Sequence, residues 1–236
     1  MTTSTLSLPT PDGPMPAYEA VPEGDAKGGV VVIQEAFGLT SHIESICRRL
    51  ADGGYRAVAP ALFHRSGSPV FEYTEYEKLM PVMKDLAAAT IRIDVGAAFD
   101  HLSSESLTGT RTGIVGFCMG GTVALITGAE RAVGAAVTYY GGGVTQGRFG
   151  FDPLVEVAPR LRSPWLGLFG DLDQGIPVDE VEALRAAAAS APVDTEVVRY
   201  PDAGHGFNCD DRDAYHQPSA TDAWSRTLAW FDQHLR

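Results

Sequence analysis

One short stretch, Gly116-Phe117-Cys118-Met119-Gly120-Gly121, constrains this 236-residue chain more than any other. An apolar, β-branched run precedes it at residues 111–115, and a helix-compatible run follows at residues 122–127. A sharp turn from strand to helix needs small neighbours, which Gly116 and Gly120 supply, while Gly121 lets the helix pack close to the sheet. The helix N-terminus then favours a thiolate at the turn. The pattern predicts that Cys118 is a nucleophile; the alternative is a buried structural cysteine.

Strand and helix patterns alternate along most of the chain. Short edge strands are expected within residues 1–29, for example around residues 15–20, and further strands are predicted at residues 29–34, 55–60, 111–115, 134–140, 164–170 and 194–200. Helices are predicted from a capping box at Ser41 and Glu44 to about Gly53, through residues 72–104 with Pro81 dividing them, from Pro177 to about Ser190, and over residues 220–235. The alternation predicts an α/β fold with a mainly parallel, doubly wound sheet flanked by helices. Because no linker is recognisable, residues 1–236 are expected to form a single domain.

Composition limits the classes of partner. The chain has 18 basic and 30 acidic residues and a net charge of −12, which argues against nucleic acid and anionic membranes. An anionic substrate would therefore need a local arginine. Three cysteines without framework spacing indicate a reducing compartment. The start of the chain has no signal-peptide pattern, and no stretch reaches membrane-spanning length, so a cytoplasmic protein is expected.

Candidate catalytic residues follow the ends of several predicted strands. In parallel sheets, active sites lie at the carboxyl ends of the strands. Cys118 follows the strand predicted at residues 111–115. Asp171 and Asp173 follow the strand at residues 164–170, and His205 follows the strand at residues 194–200. The order nucleophile, acid, histidine is that of the α/β-hydrolase triad, in which the histidine transfers protons and the acid orients it. Either aspartate fits the order, and His205 alone could be an ordinary loop histidine.

A further carboxylate, Glu35, directly follows the first strong strand in Gln34-Glu35-Ala36-Phe37-Gly38. A charged group there is costly unless it is exposed, paired or functional, and an exposed loop acid is the simplest alternative. In α/β-hydrolases this loop supplies one backbone N–H of the oxyanion hole, and the residue after the nucleophile supplies the other. Those residues are Ala36 and Met119 here.

Taken together, these segments resemble the dienelactone hydrolase (carboxymethylenebutenolidase) family. The similarity rests on residues 34–38, residues 116–121, Gly170-x-x-Asp173-x-x-x-Pro177 and Ala203-Gly204-His205-Gly206-Phe207. It implies an α/β-hydrolase that uses neither cofactor nor metal and cleaves small esters or lactones through a covalent acyl-enzyme. It also implies Asp173 as the acid, because the family's acid stands four residues before the proline. Substrate contacts are expected from Phe37, Tyr76, Gly206 and Phe207.

The resemblance gives Glu35 a role as the base that takes the thiol proton once substrate binds. A carboxylate beside a thiol opposes thiolate formation, so resting Cys118 is expected to be mostly protonated. Cys47 is expected to be buried and inert on the apolar face of its helix.

The departures from the family concern the substrate. Family members that act on dienelactone carry a serine directly after the histidine and an arginine four residues after it, where this chain has Gly206 and Cys209. A second carboxylate-binding arginine has no clear match, since its region offers Tyr73, Tyr76 and Lys78. The sequence therefore predicts a hydrolase of some small ester or lactone, a monomer or small homo-oligomer. The alternatives are a promiscuous carboxylesterase of the same fold and a non-catalytic binding protein with a redox-sensing Cys118.

Overall fold

An eight-stranded sheet forms the centre of the computed structural model, which describes all 236 residues. The strands are β1 (Thr2–Thr10), β2 (Gly13–Val21), β3 (Gly28–Ile33), β4 (Tyr55–Pro60), β5 (Thr112–Phe117), β6 (Ala135–Tyr139), β7 (Trp165–Gly170) and β8 (Thr195–Tyr200). Their order across the sheet is β1-β2-β4-β3-β5-β6-β7-β8. Strands β3 to β8 run parallel, whereas β2 pairs antiparallel with both β1 and β4. The predicted mainly parallel sheet is confirmed.

Helices cover both faces of this sheet. They are α1 (Ser41–Asp52), α2 (Tyr76–Lys84), α3 (Ala88–Ser104), α4 (Met119–Glu130), α5 (Leu154–Val157), α6 (Val178–Ala188) and α7 (Gln217–His234). Consecutive strand residues face opposite sides. A Cβ on Gly28 would meet Leu235 at the end of α7, and one on Gly29 would meet Leu102 of α3. These two helices therefore lie on opposite faces. None of the seven helices is long and apolar enough to cross a membrane.

Burial on both faces explains the continuous apolar runs of the central strands. Every residue of β3, β5, β6 and β7 is buried, as expected for parallel strands covered on both sides. Because these strands are parallel, the loops that follow β3, β5, β7 and β8 meet at one edge of the sheet. All the predicted catalytic residues lie in those loops.

Two local predictions are wrong. The capping box does not form, because Ser41 is already the first residue of α1 and its hydroxyl donates to Asp211 at 3.2 Å. Thr40 is the N-cap residue, without a side-chain cap bond. Pro81 does not divide the helical region but lies inside α2. The helix ends instead at Lys84, where the N–H of Asp85 bonds to the Val82 carbonyl at 3.2 Å.

Candidate active site

The turn at Cys118 has the tight geometry predicted from its glycines. Strand β5 ends at Phe117 and α4 begins at Met119, with Cys118 between them at φ +54° and ψ −116°. A positive φ is strained for a residue other than glycine. A Cβ on Gly116 would lie 1.9 Å from the Gly120 carbonyl oxygen, and one on Gly121 would lie 2.6 Å from that of Tyr139. Only glycine fits there, and the turn holds a half-buried Cys118 at the N-terminus of α4.

The geometry separates the two candidate aspartates. Asp173 is buried, and its Oδ2 lies 2.6 Å from His205 Nδ1 while its Oδ1 accepts the Gly175 N–H at 2.9 Å. Asp171 instead accepts two hydrogen bonds from the Arg199 guanidinium, at 2.8 and 2.7 Å. The aspartate that faces the histidine is therefore Asp173.

The protonation of Cys118 and His205 is linked. Burial alone would lower the pKa of His205, but the Cys118 charge and the hydrogen bond to Asp173 raise it to about 10. Burial also disfavours the Cys118 thiolate, yet the charge and hydrogen bond of His205 lower the pKa of the thiol overall. Glu35 acts in the opposite direction but more weakly than His205. His205 therefore outweighs Glu35 in its effect on the pKa of Cys118, and the mostly protonated resting thiol stays a prediction.

Glu35 is fully buried, so it is not an exposed loop acid. Its Oε1 lies 3.3 Å from Arg212 Nη1, and its Oε2 has no hydrogen-bond partner. The neighbouring Gln34 side chain accepts the Leu62 N–H at 3.1 Å and donates to the Glu35 carbonyl at 3.3 Å. These bonds fix the backbone of the loop, so that an unsatisfied carboxylate oxygen is held in the interior.

The expected oxyanion donors lie beside this loop. Ala36 and Cys118 line the same cavity. The Ala36 N–H donates no backbone hydrogen bond. Met119 is the first residue of α4, a position whose N–H has no acceptor within the helix. Neither N–H group donates a backbone hydrogen bond, and their role as oxyanion donors stays a prediction.

Two cavities meet at Cys118. One, called the polar cavity because it is the more polar of the two, has a volume of about 660 Å³ and is formed largely by the loop after β6 and the loop that carries Asp173. The other has a volume of about 350 Å³ and mainly apolar walls, formed largely by α2. Both are lined by Tyr76, Cys118, Arg148, His205 and Arg212. A substrate at the thiol would therefore face two chemically different surroundings.

The predicted substrate contacts divide into two groups. Phe37 and Tyr76 line the apolar cavity, and Tyr76 also lines the polar one. Gly206 and Phe207 line neither. Phe207 is fully buried, with its ring centroid 5.4 Å from that of Tyr140. It supports the site from below rather than facing a ligand.

Comparison with known proteins identifies the family. The model of the dienelactone hydrolase family matches residues 15–235. A Salmonella typhimurium protein named "putative carboxymethylenebutenolidase" is 40% identical over 237 residues, which are 97% of this chain and 86% of the relative. The chain belongs to the dienelactone hydrolase family. Its resemblance to that family is confirmed, and it is a hydrolase.

Two other members of the dienelactone hydrolase family show how the similarity extends. A Klebsiella pneumoniae crystal structure, of a "putative dienelactone hydrolase", has a TM-score of 0.89 and 38% identity, covering 99% of both chains. A carboxymethylenebutenolidase of Rhodococcus opacus is 27% identical over 226 residues, 94% of this chain and 87% of the relative. The α/β-hydrolase fold therefore extends over the whole chain.

Two arginines that line the cavities of this dienelactone hydrolase family member were not predicted from its sequence. Arg212 pairs with Glu35, and its guanidinium lies 5.5 Å from the rings of both Phe37 and Tyr73. Arg148 lies 4.9 Å from the Phe149 ring and has no carboxylate partner. Neither stands at the position expected from the family motifs. The only signal for either was that an acidic chain with an anionic substrate would need a local arginine.

The position of Arg212 explains one departure from the family motif. Gly206 has a φ of +85°, and a Cβ there would lie 2.4 Å from Arg212 Nη1. A serine at this position would displace the arginine. Cys209, at the position of the expected arginine, is buried and donates its Sγ–H to the Tyr73 hydroxyl at 3.2 Å. Burial raises the pKa of Cys209 to about 12, so this thiol is protonated at neutral pH.

Proposed function

We propose that this protein hydrolyses small esters or lactones through a covalent acyl-enzyme on Cys118. The observation that carries the proposal is the 2.6 Å bond between His205 and Asp173, in a cavity shared with a strained cysteine at a helix N-terminus. Relatives named carboxymethylenebutenolidase support the lactone and ester substrate class. The three cysteines are free, which fits a reducing cytoplasm. Residues 1–236 would act as a single domain without a cofactor.

In the first half of the proposed reaction, the Cys118 thiolate attacks the substrate carbonyl carbon and forms a C–S bond. The carbonyl oxygen becomes an oxyanion that accepts hydrogen bonds from the Ala36 and Met119 N–H groups. When the intermediate collapses, the C–O bond to the leaving group breaks and His205 donates its proton to the departing oxygen. The product is a thioester on Cys118; with a lactone, the freed hydroxyl remains attached to the acyl group.

In the second half, His205 takes a proton from water as the hydroxyl oxygen attacks the thioester carbonyl. Collapse of this second intermediate breaks the C–S bond, releases the carboxylic acid and restores the thiolate–imidazolium pair. Asp173 holds the imidazole in one orientation throughout and stabilises its charged form. The raised pKa of His205 supports the first half, because the resting imidazolium holds the proton that the leaving group then takes.

Glu35 would take a proton from any Cys118 that is in the thiol form when substrate binds. Its unpartnered Oε2 supports that role, since a buried carboxylate oxygen without a donor is an effective proton acceptor. Arg212 balances the charge of the carboxylate before it takes the proton. In this scheme His205 and Glu35 both favour attack, the first by stabilising thiolate and the second by removing residual protons.

Arg148 would bind an acidic group of the substrate. Its guanidinium lies on the wall shared by both cavities and has no carboxylate partner, and its charge lowers the pKa of Cys118. Within a chain of net charge −12, an unpaired arginine beside the thiol provides local attraction for a carboxylate. A lactone that carries a carboxylate is therefore the favoured form of the substrate.

A panel of aryl esters and lactones, assayed with the wild type and Cys118→Ala, tests the proposal. We expect the wild type to hydrolyse members of the panel, the variant to hydrolyse none, and mass spectrometry to find a transient acyl group on Cys118. Cys47→Ala is the matched control, because it removes a buried cysteine from α1 and should retain activity. An acyl group on Cys47 or Cys209, or a fully active Cys118→Ala, would refute the mechanism. Ligand binding without turnover would favour the non-catalytic alternative.

A further inference from the structure

The apolar cavity beside Cys118 is a built feature of the fold. Its apolar walls come from the loop after β3, from three positions along α2 and from the loop after β6. We call this cavity the α2 lobe; its apolar walls are Phe37, Leu79, Met80, Met83 and Phe149. Leu79 and Met83 are also packed into the core. The walls are therefore anchored, and the lobe is not a gap between loosely packed surface chains.

The rim of the α2 lobe exposes apolar side chains that a folded protein would normally cover. Met80 is 49% exposed and Tyr76 is 54% exposed, and both line the lobe. Single exposed apolar residues are ordinary, but two of them on one rim, facing an apolar cavity that contains the reactive thiol, form a continuous apolar surface. Such a surface is stabilised when an apolar ligand covers it.

Two arginine side chains lie at the border between the α2 lobe and the polar cavity. Arg148 and Arg212 line both the lobe and the polar cavity and so lie on the boundary between them. A ligand that spans the boundary would place hydrocarbon on the α2 side and an acidic or hydrogen-bonding group on the other. The reacting carbonyl would lie between the two parts, next to Cys118.

We infer that the α2 lobe is a specificity subsite that takes an aliphatic or aromatic arm of the substrate. The inference rests on the proposed hydrolysis, since the lobe matters for specificity only because it opens at Cys118. It narrows the substrate class to esters or lactones with an apolar arm on one side of the carbonyl. Residues of α2, rather than of the catalytic loops, then decide which substrates are preferred.

Hydrolysis of p-nitrophenyl acetate, butyrate, hexanoate and octanoate measures the subsite. Burial of one methylene is worth about 0.8 kcal/mol, so kcat/KM should rise by up to about fourfold per added methylene until the lobe is filled. A wild type that hydrolyses acetate and hexanoate with equal kcat/KM would overturn the subsite while leaving the proposed hydrolysis intact.

Met80→Glu tests the position of the subsite, with Lys78→Gln as its control. Both substitutions make the chain more negative by one charge on the same exposed helix, but only Met80 lines the lobe. We expect Met80→Glu to lower the hexanoate-to-acetate ratio of kcat/KM by at least about tenfold, because it places a charge against the apolar arm. Lys78→Gln should leave this ratio unchanged. Equal ratios in the two variants would overturn the inference.

Met83→Trp provides a second variant, because it fills the lobe from the inner face of α2. It should shift the preferred ester to a shorter chain. A preference that stays at the wild-type length in the folded variant would place the apolar arm elsewhere and contradict the inference.

A thiol probe tests the subsite without relying on turnover. Cys118 is labelled with N-ethylmaleimide and with maleimides that carry longer alkyl chains, and each rate is divided by the rate with free glutathione. The normalised rate should rise with chain length in the wild type and less so in Met80→Glu. If no ester or lactone is hydrolysed, the proposed function fails, and a flat maleimide series would then reject the subsite as well.

Discussion

At the scale of single residues, Asp171 and Asp173 give the sharpest comparison. Asp173 bonds to His205 at 2.6 Å, whereas Asp171 pairs with Arg199 at 2.7 Å. Loss of the aspartate that orients a catalytic histidine lowers turnover by about 10⁴ in serine enzymes, and a thiol should depend on it less. We expect Asp173→Asn to lower kcat/KM by about 10²–10³, and Asp171→Asn by less than about threefold. A larger loss in Asp171→Asn would contradict the assignment.

The reactivity of Cys118 toward iodoacetamide should depend on pH in two steps. Because His205 lowers the pKa of this thiol, the first rise should come below pH 8.5, the ordinary value for cysteine. A second rise is expected near pH 10, where His205 loses its proton and leaves a more nucleophilic thiolate. Burial raises the pKa of Cys47 and Cys209, so only Cys118 should be labelled. A single step at pH 8.5 would refute the pairing with His205.

Glu35→Gln should change alkylation and turnover in opposite directions. Its charge raises the pKa of Cys118, so its removal should speed labelling of the free enzyme below pH 7. If Glu35 takes the thiol proton on substrate binding, kcat should fall by about 10²–10⁴. Glu196→Gln, an exposed acid on β8, is the control and should change neither rate. A variant with faster labelling and normal turnover would show that His205 alone activates the thiol.

At the scale of elements, strands were easier to predict than helix ends. The bounds of β3 to β8 lie within two residues of the predicted ones. For β3, β5, β6 and β7 the reason is burial on both faces, which leaves an uninterrupted apolar run. Strand β1 was expected only as an edge strand without bounds within residues 1–29, because it is exposed and rich in Thr and Ser, and the start of α7 was placed three residues late. The capping box failed because its serine bonds to a distant aspartate, which no local pattern contains.

The junction between β5 and α4 should tolerate no side chain at Gly116. A Cβ there would meet backbone atoms of Gly120, which cannot move without shifting α4. We expect Gly116→Ala to lower the free energy of unfolding by at least about 3 kcal/mol, measured by urea denaturation. Gly96→Ala is the control, since its Cβ would meet only the end of the Arg131 side chain and alanine favours the helix. Equal stabilities of the two variants would disprove the packing argument.

At the scale of the whole molecule, the candidate site joins four strand ends with loops that carry no periodic pattern. Cys118, Asp173, His205 and Glu35 could be predicted because each follows a strand closely, in a motif with a known order. Arg148 and Arg212 could not, because each reaches the thiol from an irregular loop whose path depends on tertiary contacts. The candidate catalytic residues could therefore be predicted from the sequence, whereas the arginines proposed to contact the substrate could not.

The charge distribution of the molecule leads to a prediction about Arg148. In a chain of net charge −12, Arg148 lines the cavities at Cys118 without a carboxylate partner, whereas Arg212 is paired with Glu35. Arg148→Gln should raise KM by about tenfold or more for a lactone that carries a carboxylate, and by less than about twofold for a neutral ester. Arg160→Gln, an exposed arginine outside both cavities, is the matched control. Equal effects on both substrates would remove Arg148 from substrate recognition.

The contact between Gly206 and Arg212 restricts how specificity can be exchanged with relatives. A serine at position 206 would occupy the space of the Arg212 guanidinium and leave the buried Glu35 carboxylate without its partner. An arginine at position 209 would have to replace a cysteine that is sealed against Tyr73. Each single substitution would therefore disturb a charge pair or a packed side chain of this chain. An exchange of substrate specificity with a relative would therefore have to replace residues 206–212 together.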